Sequence, residues 1–299
     1  WVFFDPLGST DGPVRTFATF DPVAFDPDGS GPAPQLDDPS GEVLVMGGDF
    51  SDVGGAFDGA NYTPGAPANF LASFSVDDGA WTDRGVGLDA SVRALTTYDF
   101  VDPGEQRDPS ADPPPLGLVA DPYDAPLSLV IGGAFTGGIT TWDGRDQLTP
   151  MDFSSPSRPD QPSTVNGTVN ALAVIEDTDP DGDGPDEAQQ MLVIAGSFTD
   201  AGTLTNVGNI VKFGRPNTDP LTADPELPAY EPFLRWDTMI DGGAGFGGGT
   251  TGTGEVHALR TWDPADINNT AIAPILVIGG DFTTLEGQPV GNLAAYGNT

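Results

Sequence analysis

Apolar residues in this chain fall in short runs separated by Gly, Asp, Asn and Pro, not in the three-to-four-residue stripes of amphipathic helices. One run recurs four times: Leu44-Val-Met-Gly-Gly-Asp-Phe50, Leu129-Val-Ile-Gly-Gly-Ala-Phe135, Leu192-Val-Ile-Ala-Gly-Ser-Phe198 and Leu276-Val-Ile-Gly-Gly-Asp-Phe282. A second run ending in an aromatic follows each: Leu71-Ala-Ser-Phe74, Ile139-Thr-Thr-Trp142, Ile210-Val-Lys-Phe213 and Leu293-Ala-Ala-Tyr296. A third element carries Trp81 and Trp236; in the second repeat Met151 or Phe153 must take that place. A fourth reads Val92-Arg-Ala-Leu95, Val169-Asn-Ala-Leu172 and Val256-His-Ala-Leu259, and closes on Tyr98-Asp99, Ile175-Glu176 or Trp262-Asp263. Short β-branched and aromatic runs bounded by turn residues are the mark of strands. With Gly 41 and Pro 30, a helical bundle is excluded, since each interior Gly or Pro costs a helix about 1 or 3 kcal/mol.

The elements missing from the fourth repeat stand at the start of the chain. Trp1 matches the third element, and Val14-Arg-Thr-Phe17 with Phe20-Asp21 matches the fourth. Counted from the Leu-Val-Ile phrase, the units are 44–98, 129–175, 192–262 and 276–299 plus 1–20. The expectation is one all-β domain over 1–299, a β-propeller of four blades with about four strands each. Its last blade would be completed by the N-terminal strands, from the same chain or from a neighbouring copy. Radial repetition leaves only short, protected sheet edges. A β-solenoid would use shorter turns and need no split unit. Gly-Gly after the apolar run fits a bulge or a close backbone approach, with the next Phe packing between blades. Long and short spacings alternate, which points to a duplicated two-blade pair.

The succession Leu-Val-Ile-Gly-Gly-x-Phe, apolar-aromatic strand, Trp, Val-x-Ala-Leu resembles the kelch-like propeller repeats of large secreted bacterial proteins. It is also similar to repeats of fungal cell-surface cortical marker proteins. The resemblance spans nearly the whole chain and implies architecture; such a scaffold hosts many functions and carries little chemistry of its own.

Charge narrows the partners. Lys+Arg 10 against Asp+Glu 45 gives a net charge of −35. Phosphate backbones are repelled by such a surface, so nucleic acid is excluded as a partner. No run reaches the roughly 18 apolar residues of a membrane span, so no membrane insertion is expected. Hydrophobic residues at 37%, 17 of them Phe, suffice for a packed core. Cys is absent, which removes disulfides and thiolate metal sites. An acidic, Lys-poor surface keeps a protein soluble in salty surroundings, and a first residue Trp1 in place of Met suggests processing. The expected location is extracellular or at the cell surface.

Insertions fall between the Val-x-Ala-Leu strand and the next Leu-Val-Ile strand, at 21–42, 99–126, 176–190 and 263–274. Being equivalent, they should emerge on one face. In the third, Asp179, Asp181, Asp183 and Glu187 alternate around Gly184, with Asp177 just before. Ca²⁺ takes six to eight oxygens, and alternate acids with a Gly turn can wrap them around one ion. The pattern resembles the calcium hairpins of integrin-type propellers more than an EF-hand. Asp26, Asp28 and Ser30 form a weaker echo in the first insertion. The competing reading is a plain solvated turn, since Asp, Pro and Gly are preferred turn residues.

Arg15, Arg93, Asn170 and His257 all occupy the x of Val-x-Ala-Leu. They would form either a polar ring able to hold an anionic ligand or side chains that alternate outward and pair with nearby acids. The Gly-rich stretch 242–249 lacks the Gly-Lys-Ser/Thr ending and the helix of a phosphate loop, and reads as a flexible hairpin tip. His257 is the only histidine, and no Gly-x-Ser-x-Gly nucleophile motif accompanies it. Asn61, Asn166 and Asn268 stand in glycosylation-type triplets at near-chance frequency. Together these features point to a non-catalytic structural or adhesive module, Ca²⁺-stabilised and contributing to a cell-surface or fibre-like assembly. Its partners would be other copies of itself, cell-surface components or glycans. The alternatives are a carbohydrate-active hydrolase with acids converging at the ring centre, and a glycan-binding lectin stacking sugars on Trp142 or Trp262.

Overall fold

The computed structural model describes residues 8–20, 42–58, 61–98, 128–142, 148, 164–177, 189–202, 204–214, 235–238, 246–247, 254–262, 275–285 and 288–296. Among them every regular element is a strand, and every strand pair is antiparallel. The protein is all-β. Four main sheets follow one another along the chain.

Sheet I orders β1 (Val14–Phe20), β2 (Val43–Gly48), β7 (Leu71–Ser75) and β8 (Ala80–Asp83) side by side. Between β2 and β7 lie two small pairs, β3 (Asp52–Val53) with β6 (Ala66–Pro67) and β4 (Ala56–Asp58) with β5 (Asn61–Thr63). Sheet II consists of β9 (Val92–Tyr98), β10 (Ser128–Gly133) and β11 (Ile139–Trp142). Sheet III contains β12 (Thr168–Asp177), β13 (Gln189–Ser197), β16 (Ile210–Gly214) and β17 (Arg235–Thr238), with the small pair β14 (Asp200–Ala201) and β15 (Leu204–Thr205). Sheet IV joins β19 (Glu255–Trp262), β20 (Ile275–Asp281) and β23 (Leu293–Tyr296). Beside it β18 (Phe246–Gly247) pairs with β21 (Thr284–Leu285), which pairs with β22 (Gln288–Pro289). The Gly-rich stretch is therefore not a free hairpin tip over Phe246–Gly247; that segment is a strand of a three-stranded sheet.

Wherever the recurring elements fall among the described residues they are strands, but they group one step out of phase with the expectation. Val14–Phe20 does not complete the unit holding 276–299. Instead β1 pairs with β2, Phe17 opposite Met46 and Phe20 opposite Val43. Each Val-x-Ala-Leu strand is the first strand of its sheet, and its antiparallel partner is the Leu-Val-Ile strand that follows it in sequence. A period marks how often a unit recurs, not where it begins; hydrogen-bonding partners set that boundary. The sheets thus run 14–83, 92–142, 168–238 and 255–296, replacing blades at 44–98, 129–175, 192–262 and 276–299 plus 1–20. Strand addition by residues 14–20 to a neighbouring copy falls with the old grouping. Trp1, Met151 and Phe153 lie outside the described residues.

Gly-Gly does what the sequence suggested. A Cβ on the second glycine of the phrase would collide with a backbone oxygen at the start of the first strand or just ahead of it in all four sheets: Pro13 at Gly48, Ser91 at Gly133, Thr168 at Gly196 and Glu255 at Gly280. The same glycine donates its N–H to the carbonyl just ahead of the third strand, at Phe70, Gly138, Asn209 and Asn292, over 3.0 to 3.2 Å. Asn209 stands there at φ 69°, and its side chain accepts from the Phe198 N–H and donates to Gly254 O.

Neighbouring sheets pack face to face through one repeated set of positions. Facing the next sheet are the middle Val of the phrase (Val45, Val130, Val193), the first residue of the aromatic strand (Leu71, Ile139, Ile210) and the last bulky residue of the first strand (Phe20, Tyr98, Ile175); all nine are buried. Facing the previous sheet are Leu129 and Ile131, Leu192 and Ile194, Leu276 and Ile278, also buried. Phe20 and Trp142 meet across the first junction with ring centroids 5.3 Å apart. The first strands line up in sequence, β1 against β9, β9 against β12 and β12 against β19.

Substituting Gly196 by Ala, which forces a methyl into the Thr168 carbonyl, should lower unfolding free energy by about 1–3 kcal/mol. Gly279→Ala should be near neutral, because the only atom its Cβ meets within 4 Å is the Ala258 Cβ at 4.0 Å. Urea denaturation midpoints of the two variants check this.

Candidate functional site

The sequence singled out Arg15, Arg93, Asn170 and His257, and the fold gives them a common backbone reason. In sheets I, III and IV the register slips across this residue, between Val14 and Thr16, Val169 and Ala171, Val256 and Ala258. In sheet II, Gly132 faces Ala94 and Gly133 faces Val92, so Arg93 is skipped likewise. Each is the extra residue of a β-bulge, and a bulge re-aims its side chain away from the normal alternation. These side chains therefore do not follow the plain alternation of a strand, while the pairing with a nearby acid expected of them is found at Arg15 with Asp49.

Re-aimed, they form a polar row across the first strands. Arg93 Nη1 donates to Asn170 Oδ1 at 2.8 Å, and Asn170 Nδ2 donates to Val256 O at 2.9 Å. Sheets II, III and IV are thereby tied together. Arg15 pairs with Asp49 of its own sheet, its Nε donating at 2.8 Å. Asp49 also accepts from Ser91 and feels the charge of Arg93; led by the Arg15 hydrogen bond, these hold its carboxyl below the ordinary range. Arg15 and Arg93 therefore flank one carboxylate that spans sheets I and II. His257 Nε2 stands 4.0 Å from Glu255 Oε2 and is half exposed. The Nε of Arg93 is buried without a hydrogen-bond partner among the described residues. Chemically, Arg93 and Asn170 are donors matched by acceptors of the next sheet, while Arg15 and His257 stand beside acids of their own sheets.

A second repeated device, at the same end of the sheets, was not anticipated. Asp11, Asp89 and Asn166 each stand three residues before the bulge-bearing Val and clasp the residue after the Phe of the phrase. Asp11 accepts from the Ser51 N–H at 2.7 Å and its hydroxyl at 2.6 Å. Asp89 accepts from the Thr136 N–H at 2.8 Å and its hydroxyl at 2.5 Å. Asn166 Oδ1 accepts from the Thr199 and Asp200 N–H groups at 2.9 Å, while its Nδ2 reaches the Thr199 hydroxyl and Asp200. The signal was present as Asp/Asn-x-x-Val paired with Phe-Ser/Thr, but polar residues beside turns pass for ordinary loop composition. For Asp11 burial raises the pKa, and the combined Ser51 and Asp52 hydrogen bonds outweigh it, leaving the carboxyl below its usual value. The Thr136 hydroxyl and amide lower that of Asp89. Nearby, burial and then Asp52 push the Tyr62 phenol up to about 12.

Asp179, Asp181, Asp183 and Glu187 lie outside the described residues, as do Asp26, Asp28 and Ser30. Asp177 is described as the last residue of β12, paired with Gln189 at the start of β13, so the acidic loop is clamped at its base by the sheet. Trp142, one of the two aromatics considered for sugar stacking, is buried against Phe20 and beneath Arg84, whose guanidinium carbon lies 4.7 Å from the ring. Trp262 is 49% exposed.

A scan against protein-family models finds no match, and a search of curated proteins finds no relative.

Carboxyls held below their unfolded pKa of 3.8 contribute stability above that pH and lose it as pH falls through the lower folded values. Acid unfolding should therefore set in below about pH 4. Asp89→Asn, which keeps the clasp in the form Asn166 uses, should remove part of that pH dependence in circular dichroism titrations. Asn170→Ala, which strips the partners of Arg93 and Val256 O, should cost about 1–3 kcal/mol at pH 7.

Proposed function

We propose that the chain is a non-catalytic structural module, a propeller-like array of four blades, made for a cell-surface or fibre-like assembly outside the cell. The observation that carries this reading is the threefold repetition of one inter-sheet contact by the same repeat positions. Val45, Val130 and Val193, with Phe20, Tyr98 and Ile175, bury the same face at each junction. The repeat spends its recurrent residues on joining sheets. Its bulge residues, the natural candidates for chemistry, tie sheet to sheet through Arg93, Asn170 and Val256 O.

The kelch-like resemblance supports the same reading. So does the topology of the acidic insertions, each of which links the first strand of a sheet to the second. Each first strand ends, and its acidic insertion begins, at the end opposite the bulge. In this reading the loop between Asp177 and Gln189 holds Ca²⁺ through Asp179, Asp181, Asp183 and Glu187. Binding stabilises the folded state in proportion to the logarithm of ligand concentration over Kd.

Incubation with a panel of polysaccharides should release no reducing ends; sustained release abolished by a single Asp→Asn change would replace this reading with a hydrolase. Ca²⁺ at a hundredfold excess over Kd should stabilise the fold by about 2.7 kcal/mol, an increment that Asp181→Asn removes in calorimetric scans. Mg²⁺, which prefers a tighter octahedral shell, should give less.

A further inference from the structure

Three junctions between sheets are built from the same positions, and the two ends of the array present the two halves of a fourth. On the outer side of sheet IV the equivalents of the buried Ile175, Val193 and Ile210 are Trp262, Val277 and Leu293. Trp262 is 49% exposed and Leu293 67%, and Val277 is not fully buried. On the outer side of sheet I the equivalents of the buried Leu129 and the part-buried Leu95 are Leu44 and Phe17, while Met46, the equivalent of Ile131, is covered within its own unit by Phe50, Val53 and Ala72. Phe17 is 60% exposed, and Leu44 is the one Leu of the four phrases that is not fully buried.

The glycines show the same unfilled half. A Cβ on Gly47 would lie 2.9 Å from the Val92 Cβ of the next sheet, and one on Gly132 3.1 Å from the Val169 Cβ. Val92 and Val169 thus rest in notches left by missing side chains. At the end of the series Gly279 leaves the notch open, with the Ala258 Cβ of its own sheet at 4.0 Å as its nearest neighbour. Val14, the residue that matches Val92 and Val169, is only part-buried.

We propose that a second copy of the chain fills this gap, docking its sheet I face on the sheet IV face of the first, with Val14 in the Gly279 notch and Phe17 and Trp262 covered. The contact joins unlike surfaces, so it propagates head to tail into a linear or closed assembly. It continues the interface already made three times within the chain and requires no exchange of strands. Ring closure within one chain would use the same faces, but here Phe17 on one and Trp262 and Leu293 on the other stand exposed in the single chain. The inference rests on the structural-module reading for its biological sense and on the end faces alone for its geometry. At a net charge of −35 copies repel one another at long range, so association strengthens as salt shortens the screening length from about 30 Å at 0.01 M to 3 Å at 1 M.

The chain contains no Cys, which makes a crosslinking test clean. The Gly47–Val92 and Gly132–Val169 spacings of 2.9 and 3.1 Å are shorter than the Cβ–Cβ distance of about 3.8 Å that a disulfide takes, so a small outward shift at the equivalent contact brings two thiols into bonding range. Val14→Cys and Gly279→Cys are prepared as separate full-length variants, mixed and oxidised in 1 M salt. The expected result is a covalent heterodimer, formed at least about tenfold less in 0.05 M salt and lost when Phe17→Asp or Trp262→Asp is added, both at exposed positions and checked for unchanged melting. Wild type should sediment with a concentration-dependent mass in high salt. A disulfide formed only within a chain carrying both Val14→Cys and Gly279→Cys, as a monomer at any dilution, would show closure in one chain and overturn the proposal; so would no crosslink in either that double variant or the mixture of single variants. Absence of crosslinks without polysaccharide cleavage removes the docking and leaves the structural reading standing. Crosslinks together with cleavage remove the structural reading and leave the docking.

Discussion

The close approach of backbone to backbone at the second glycine of the Leu-Val-Ile phrase is the constraint from which the rest follows. At Gly48, Gly133, Gly196 and Gly280 no side chain fits between the first and second strands. The second strand is thereby locked to the first at the bulge, and its N–H turns to the carbonyl that launches the third. Fixing those three strands fixes which residues face each neighbour. A slip of one position would exchange Val130, which meets sheet III, with Ile131, which meets sheet I. Burying each such side chain is worth about 1.5–3 kcal/mol, so the junctions supply a large part of the driving force, and the glycines decide where it is applied.

The bulge that the glycine accommodates also explains the polar row. Without an extra residue at Arg15, Arg93, Asn170 and His257, those side chains would alternate with the apolar positions of the first strand and enter a junction. With it, they point to where the sheets' first strands meet, and Arg93 and Asn170 bridge sheets by hydrogen bonds. The clasps of Asp11, Asp89 and Asn166 fasten the same end. Apolar packing across the junctions and polar ties at one end hold the same elements by different means.

Charge sets the conditions under which such an array works. The described basic side chains are largely engaged: Arg15 with Asp49, Arg93 with Asn170, Arg84 with Ser73 and Trp142. The excess of acids is left to repel any like surface. On the proposed docking, copies are kept apart in dilute salt and associate when screening is strong, while the interior, assembled from apolar faces, is little affected by either condition.

The sequence by itself determined that the protein is all-β, that four units repeat, which runs are strands, and that Gly-Gly marks a close approach. All of these follow from local properties: side-chain period, turn chemistry and the absence of a Cβ. It also brought Arg15, Arg93, Asn170 and His257 into one equivalent set. Only the tertiary structure decided where a unit begins, because a repeating pattern is unchanged by a shift of phase while hydrogen bonding between β1 and β2 is not. It alone separated Trp142, sealed against Phe20 of the preceding sheet and beneath Arg84, from Trp262, which faces the side of sheet IV where no further described sheet follows. The Asp/Asn clasps, too, became visible only there, because each joins residues more than 30 positions apart, and nothing local distinguishes such an acid from one that merely faces water.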